Sequence, residues 1–188
     1  LSEEEKHQYV TETSNEVDIP QILYNVPART ACDLLPESIA FLSEQENIIG
    51  LKEASTDPNR LKELIEVLGV KVKNDSFFLY SGDDISFCSF LLGGGHGVIS
   101  VTANVIPNII SGICELALTN LFDEALKDDM KIAQLHESMF VETSPIPVKW
   151  ILNRLGRIPS GIRLPLTSLD SKFHSEMELI IKKFGLLN

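Results

Sequence analysis

Asn47-Ile48-Ile49-Gly50-Leu51-Lys52-Glu53-Ala54 is a short, almost unbroken apolar run that closes on a lysine. A run of this length without polar alternation reads as a parallel strand covered on both faces. Three similar runs lie around it: Gln21 to Val26 between Pro20 and Pro27, Phe77 to Ser81, and Gly97 to Thr102. Helical patterns separate them. Pro36 to Gln45 reads as a helix with Leu34, Ile39 and Leu42 as its apolar positions, and Asp57 caps a helix with Pro58 at its first position and Leu61, Leu64, Ile65 and Leu68 in a stripe. Asp83 to Leu92 reads as a further helix. This alternation predicts an α/β fold with a parallel sheet, either a barrel or a doubly wound sheet. From Asn104 onward the strand signal stops, and Ile106 to Leu118, Leu121 to Met139, Val148 to Leu155 and Ser171 to Phe184 read as amphipathic helices. The predicted organisation is therefore four βα units over residues 1–104, followed by helices over 105–188.

Length and charge narrow the function classes. The chain has 188 residues, 44% of them hydrophobic and 23% charged, which suits a globular protein. Its net charge of -11 repels phosphates, so nucleic-acid binding is not expected. Cys32, Cys88 and Cys114 are far apart, and His7, His96, His136 and His174 stand singly, with no CxxC or HxH pair. A reduced, cytoplasmic protein without a structural metal is expected. No apolar run is long enough to span a membrane. Leu1 stands where a start methionine would, immediately before a helix start at Ser2-Glu3-Glu4-Glu5, so a fragment of a longer protein is expected.

Lys52 carries the strongest chemical signal. Lysine is seldom buried without a purpose, and a desolvated ammonium gives up its proton more easily. The free amine can attack a carbonyl and form an imine. In a barrel, the C-terminal end of a strand is the catalytic face. The competing reading is a snorkelling lysine, or an ion pair with Glu53. Tyr24, ending the first strand, would face the same mouth and could carry a proton to and from a carbonyl; alternatively it is a core aromatic. Arg29 follows in a loop and offers a planar fork for a carboxylate, or is plain surface. Asp83 and Asp84 after Gly82 form either an acid pair or, more simply, a helix cap and first turn. Gly93-Gly94-Gly95-His96-Gly97 lacks the Lys-Ser/Thr of a phosphate loop and leads into a strand, so it reads as a helix-terminating loop with a structural His96.

Taken together, Tyr24-Asn25-Val26-Pro27-Ala28-Arg29-Thr30, Gly50-Leu51-Lys52-Glu53-Ala54, Ser81-Gly82-Asp83-Asp84, Gly97 to Asn104 and Pro145 to Trp150 resemble the dihydrodipicolinate synthase family of lysine-dependent (β/α)8 lyases. The resemblance runs essentially end to end. It implies the C-terminal half of a TIM barrel followed by a helical domain. It also implies an enzyme that condenses pyruvate with L-aspartate-4-semialdehyde to 4-hydroxy-tetrahydrodipicolinate in lysine and diaminopimelate biosynthesis. Lys52 would form the Schiff base, Tyr24 would be the proton donor and acceptor, and Arg29 would hold the semialdehyde carboxylate. Gly82 and Ile99 would line the pyruvate pocket. No metal or organic cofactor is implied, because the lysine itself is the electron sink, and the family's assembly is a dimer of dimers. Ala31 stands where the family usually has glycine after this threonine.

A TIM barrel needs eight strands and roughly 250 residues, and only four strands are visible. The family's first four strands would hold paired threonines, a tyrosine lent by a neighbouring subunit, and most of the lysine-feedback site. Little synthase activity is therefore expected of the 188-residue chain alone. Two other functions remain open at this point. One is a related Schiff-base lyase resembling N-acetylneuraminate lyase, although Arg29 favours a carboxylate-bearing substrate. The other is a non-catalytic half-barrel that works as an assembly module, its open strand edges covered by a partner.

Overall fold

The structure, a computed structural model, describes residues 2–187. The chain divides into two compact units, Leu1–Ile99 and Ser100–Asn188. In the first, helix α1 (Glu3–Asn15) begins with a capping box: Glu5 N–H donates to Ser2 Oγ at 3.2 Å and Ser2 N–H donates to Glu5 Oε2 at 2.7 Å. Strand β1 (Gln21–Asn25) follows, then the four-residue helix α2 (Pro27–Thr30), α3 (Pro36–Leu42), β2 (Ile48–Glu53), α4 (Arg60–Lys73), β3 (Phe78–Ser81), α5 (Phe87–Leu92) and β4 (Gly97–Val98). The four strands lie in sequence order and every pairing is parallel.

Register sorts the side chains into two faces, because successive residues on a strand point in opposite directions. Leu23, Leu51 and Leu79 lie level with one another. Leu51 and Leu79 are fully buried, packed with Ile39 and Leu42 of α3, Leu64 and Leu68 of α4, Ile48 and Phe77. Gly50 is required at the centre of β2, since a Cβ there would lie 2.6 Å from the Phe78 carbonyl oxygen. The opposite face carries Ile22 level with Gly50 and Phe78, and Tyr24 level with Lys52, Tyr80 and Gly97. Full cover of both faces, expected from the apolar runs, is not observed. Ile22 is 43% and Tyr24 51% exposed, because four strands leave the sheet open.

Several boundaries differ from the sequence reading. The helix expected to reach Gln45 ends at Leu42, and the last helix begins at His174 after a 3-10 turn over Ser171–Phe173. Three further differences lie near the strand ends. Strand β4 stops at Val98 instead of running to Thr102. Its partner β3 ends at Ser81, whose carbonyl takes a last bond from Ile99 N–H, and the Gly82 N–H is already donated to Glu53 O at 2.6 Å. Ser100 Oγ then accepts from Ala103 N–H at 2.8 Å and turns the chain into a 3-10 turn, Thr102–Asn104. Helix α4 begins at Arg60, after Asp57 has accepted Asn59 N–H in a preceding turn. Helix α5 begins at Phe87, because Asp83 Oδ2 accepts from both Ser86 N–H and Ser86 Oγ and holds residues 84–86 in a turn. The glycine-rich stretch does end a helix: Gly93 N–H and Gly95 N–H close on Ser89 O and Phe90 O, and Gly94 is left-handed at φ 106. His96 is structural there, accepting Leu79 N–H at its Nδ1.

The second unit contains α6 (Pro107–Leu118), α7 (Phe122–Ser138), α8 (Ile146–Arg154) and α9 (His174–Lys183). Ile110, Ile113 and Ala117 of α6 and Ala125, Ile132 and Leu135 of α7 are buried at helical spacing. Buried His136 lies 2.8 Å from Thr102 Oγ1, and Arg157 donates to Val105 O at 2.8 Å, so the 3-10 turn is anchored within this unit. Among the described residues, no helix is long and apolar enough to cross a membrane.

Candidate active site

Tyr24 and Lys52 are Cα partners at the C-terminal ends of β1 and β2, so their side chains leave the same face of the sheet. The Lys52 ammonium lies 4.1 Å from the centroid of the Tyr24 ring, within cation–π range. Burial pushes the Lys52 pKa below the usual lysine value; Asp84 opposes the shift and the Arg29 guanidinium adds to it. Tyr80, level with Lys52 on β3, flanks the lysine on its other side and was not singled out from sequence. Asp84, which the sequence offers as half of an acid pair or as part of a helix start, is buried, and its charge acts on Lys52.

Gly82 follows β3 and lies against Lys52. A Cβ at this position would come within 2.9 Å of both Lys52 Cε and Ala54 Cβ, and 3.2 Å of Glu53 O. Glycine thus leaves the space through which the lysine arm runs. Ile99 N–H donates to Ser81 O at 2.9 Å, which places Ile99 across from the residue preceding Gly82, with its side chain 44% exposed. Arg29 is exposed on α2, a short helix where the sequence suggested only a loop. Pro27 at its first turn sets φ for helix, and Ala31 ends it with left-handed φ 51.

Glu53 does not pair with Lys52, contrary to the simplest alternative for that lysine. Adjacent strand residues face opposite ways, and Glu53 turns to the helix-covered side. There both its oxygens accept from Asn25 Nδ2 at 3.1 Å, and Oε1 accepts from Ser55 N–H at 2.6 Å. Arg60 lies 3.7 Å from Glu53 and donates to both oxygens of Asp33, at 3.0 and 2.6 Å. Burial raises the Glu53 pKa, with the hydrogen bonds from Asn25 and Ser55 and the nearby Arg60 charge opposing it; the Arg60 hydrogen bonds hold Asp33 below its ordinary value. Sequence reading missed this cluster. Asn25 and Glu53 stand within the stretches that carry the family resemblance, but no local pattern links them to Asp33 or Arg60. No group of three or more potential metal ligands occurs among the described residues.

Residues 1–184 match the family model described as "Dihydrodipicolinate synthetase family". The 4-hydroxy-tetrahydrodipicolinate synthase of Teredinibacter turnerae is 43% identical over 186 residues, covering 99% of this chain and 62% of that protein. The enzyme of the same name from Saccharophagus degradans is 47% identical over 171 residues, covering 91% and 57%. Among solved structures, the chloride-inhibited dihydrodipicolinate synthase of Acinetobacter baumannii complexed with pyruvate superposes with a TM-score of 0.93 at 39% identity, covering 100% of this chain and 62% of that one. A monomeric dihydrodipicolinate synthase variant gives a TM-score of 0.92 at 32% identity. The chain spans about three fifths of the length of these relatives. The expected fold, the C-terminal part of a (β/α)8 barrel with helices after it, is the fold observed. On sequence and fold alike, the chain belongs to the dihydrodipicolinate synthetase family.

Proposed function

We propose that the protein to which this chain belongs is a lyase that condenses pyruvate with L-aspartate-4-semialdehyde to 4-hydroxy-tetrahydrodipicolinate, through an imine on Lys52. The observation that carries the reading is the half-buried Lys52 amine, depressed in pKa and held 4.1 Å from the Tyr24 ring. A lysine with a lowered pKa holds more free amine near neutrality, and the free amine is the nucleophile. Its nitrogen attacks the ketone carbon of pyruvate, and the ketone oxygen departs as water. Loss of a methyl proton from the resulting imine gives an enamine, whose carbon attacks the semialdehyde's aldehyde, the aldehyde oxygen taking up a proton to become the 4-hydroxyl. The semialdehyde's own amine then attacks the imine carbon, closing the ring and displacing the Lys52 amine. Tyr24 is suited to carry protons in these steps because its ring lies against the lysine, and a phenol can both donate and accept. Arg29 offers the bidentate fork for the semialdehyde carboxylate, and Gly82 and Ile99 border the space where pyruvate sits against Lys52.

In this reading residues 1–104 carry the chemistry and 105–188 form the helical part. The protein works in the cytoplasm in lysine and diaminopimelate biosynthesis, assembled as a dimer of dimers. The 188 residues alone have little synthase activity, since orientation and exclusion of water depend on a closed barrel. The test is reductive trapping: pyruvate with borohydride adds mass on the peptide containing Lys52. An adduct elsewhere, or one that persists in Lys52→Ala, refutes the assignment.

A further inference from the structure

Behind the row that holds Tyr24 and Lys52, four side chains from four segments converge. Asn25 ends β1, Asp33 lies in the loop after α2, Glu53 ends β2, and Arg60 opens α4. Asn25 Nδ2 donates to Glu53 and, at 2.8 Å, to Asp33 Oδ1, while Asn25 Oδ1 accepts Leu34 N–H at 3.0 Å. Arg60 also donates to Leu34 O at 3.1 Å. Glu53 is 4% and Arg60 6% exposed. Withdrawing two charges from water is costly, and replacing such a pair by apolar side chains of similar volume is often neutral or stabilising. Stability alone is therefore a weak reason for these residues. Their connections are more telling. Each strand-end member is the immediate neighbour of a site residue, Asn25 of Tyr24 and Glu53 of Lys52, and Asp33 pins the loop that continues from the Arg29 helix.

We infer that Asn25, Asp33, Glu53 and Arg60 form a positioning network, which fixes Tyr24 against Lys52 and holds the Arg29 segment in place from behind. None of the four touches substrate in this view; they act through the backbone of their neighbours. The Asn25–Glu53 bond ties the two strand ends side by side at the level of the site, reinforced by Ala54 N–H donating to Asn25 O at 2.9 Å. Arg60 ties that pair to the loop. A misplacement of about 1 Å at a reacting group, caused from a distance, can cost on the order of a hundredfold in rate. The inference rests on the proposed role of Lys52.

The experiment measures the rate of borohydride-trapped adduct at Lys52 against pyruvate concentration in the intact protein, per folded molecule by circular dichroism. Arg60→Met should lower the saturating rate at least about tenfold with little change in half-saturating pyruvate, and Arg60→Lys should recover part of the loss. If Arg60→Met does not fold, Asp33→Asn decides: its side chain is 34% exposed, its shape is conserved, and a several-fold loss is expected. Folded Arg60→Met or Asp33→Asn protein that traps pyruvate at the unaltered protein's rate overturns the network, even if its melting temperature falls. Failure of the unaltered protein to form any adduct at Lys52 overturns the lysine reading, and this inference with it.

Discussion

Two rows of side chains cross the strand ends one residue apart, and they have opposite characters. Tyr24, Lys52 and Tyr80 form the first row, exposed or half-buried on the open face. Asn25, Glu53 and Ser81 form the second; all three are buried, on the face that the helices cover. The backbone between them is the same, and only the strand's two-residue period separates them. The contrast shows how a small sheet can keep an amine reactive. The adjacent carboxylate, Glu53, points away from Lys52, and although the Asp84 charge acts on the amine, desolvation is the largest influence on its pKa.

The largest expected effect comes from removing the amine. Lys52→Met should abolish the pyruvate adduct and raise the thermal midpoint. The stability change has a defined sign. The folded pKa of Lys52 lies below the ordinary lysine value of 10.5, so between the folded and unfolded pKa values the unfolded chain holds more protons and stability rises with pH. The advantage of Lys52→Met should therefore be greatest near neutrality and vanish above the unfolded value. A constant difference across that range in melting curves would contradict the desolvation argument.

Next is the space between the rows. Gly82→Ala inserts a methyl 2.9 Å from Lys52 Cε and from Ala54 Cβ. The lysine arm is the part that can move, so the amine leaves the Tyr24 ring. Trapping should fall on the order of tenfold to a hundredfold, with a stability loss of about 1–3 kcal/mol from overpacking. Unchanged trapping would show that the arm has another route.

How much of this could be read in advance depended on the range of the interactions. Lys52 and Tyr24 were identifiable because each ends an apolar run, and parallel βα units bring such ends to one side. The length of β4 was not, because its end is set by β3 running out at Ser81, a constraint absent from the Gly97 to Thr102 segment itself. Helix α2 escaped for lack of length: four residues show no periodicity, and Pro27 alone fits a turn as well as a helix. The Asp33–Arg60 and Asn25–Glu53 contacts span 27 and 28 residues, and no local pattern encodes them.

The buried row can be challenged with acid. Asp33 has a folded pKa below the ordinary aspartate value of 3.8, lowered chiefly by its Arg60 hydrogen bonds. Its contribution is complete above the unfolded pKa and is lost as pH falls through the folded one. The unaltered protein should therefore lose stability more steeply below about pH 4 than Asp33→Asn does. Equal slopes in acid denaturation followed by circular dichroism would mean that Arg60 does not hold Asp33 as drawn.

The smallest effect lies where the two rows meet the Arg29 segment. Ala31 sits at φ 51, a conformation in which a Cβ crowds the backbone at a cost of roughly 1–2 kcal/mol. The family resemblance had already marked this position as one that usually holds glycine, and the left-handed end of α2 supplies the reason. Glycine removes the crowding but gives the unfolded chain more freedom, about 0.5–1 kcal/mol in the other direction. Ala31→Gly should therefore stabilise the protein by only about 0.5–1 kcal/mol, visible as a small rise in melting temperature. Pyruvate trapping at Lys52 should be unaffected, because Asp33 already pins the loop to which Ala31 belongs. A rise in stability accompanied by slower trapping would show instead that strain at Ala31 helps aim the Arg29 segment, and would extend the positioning role from the buried row to the loop itself.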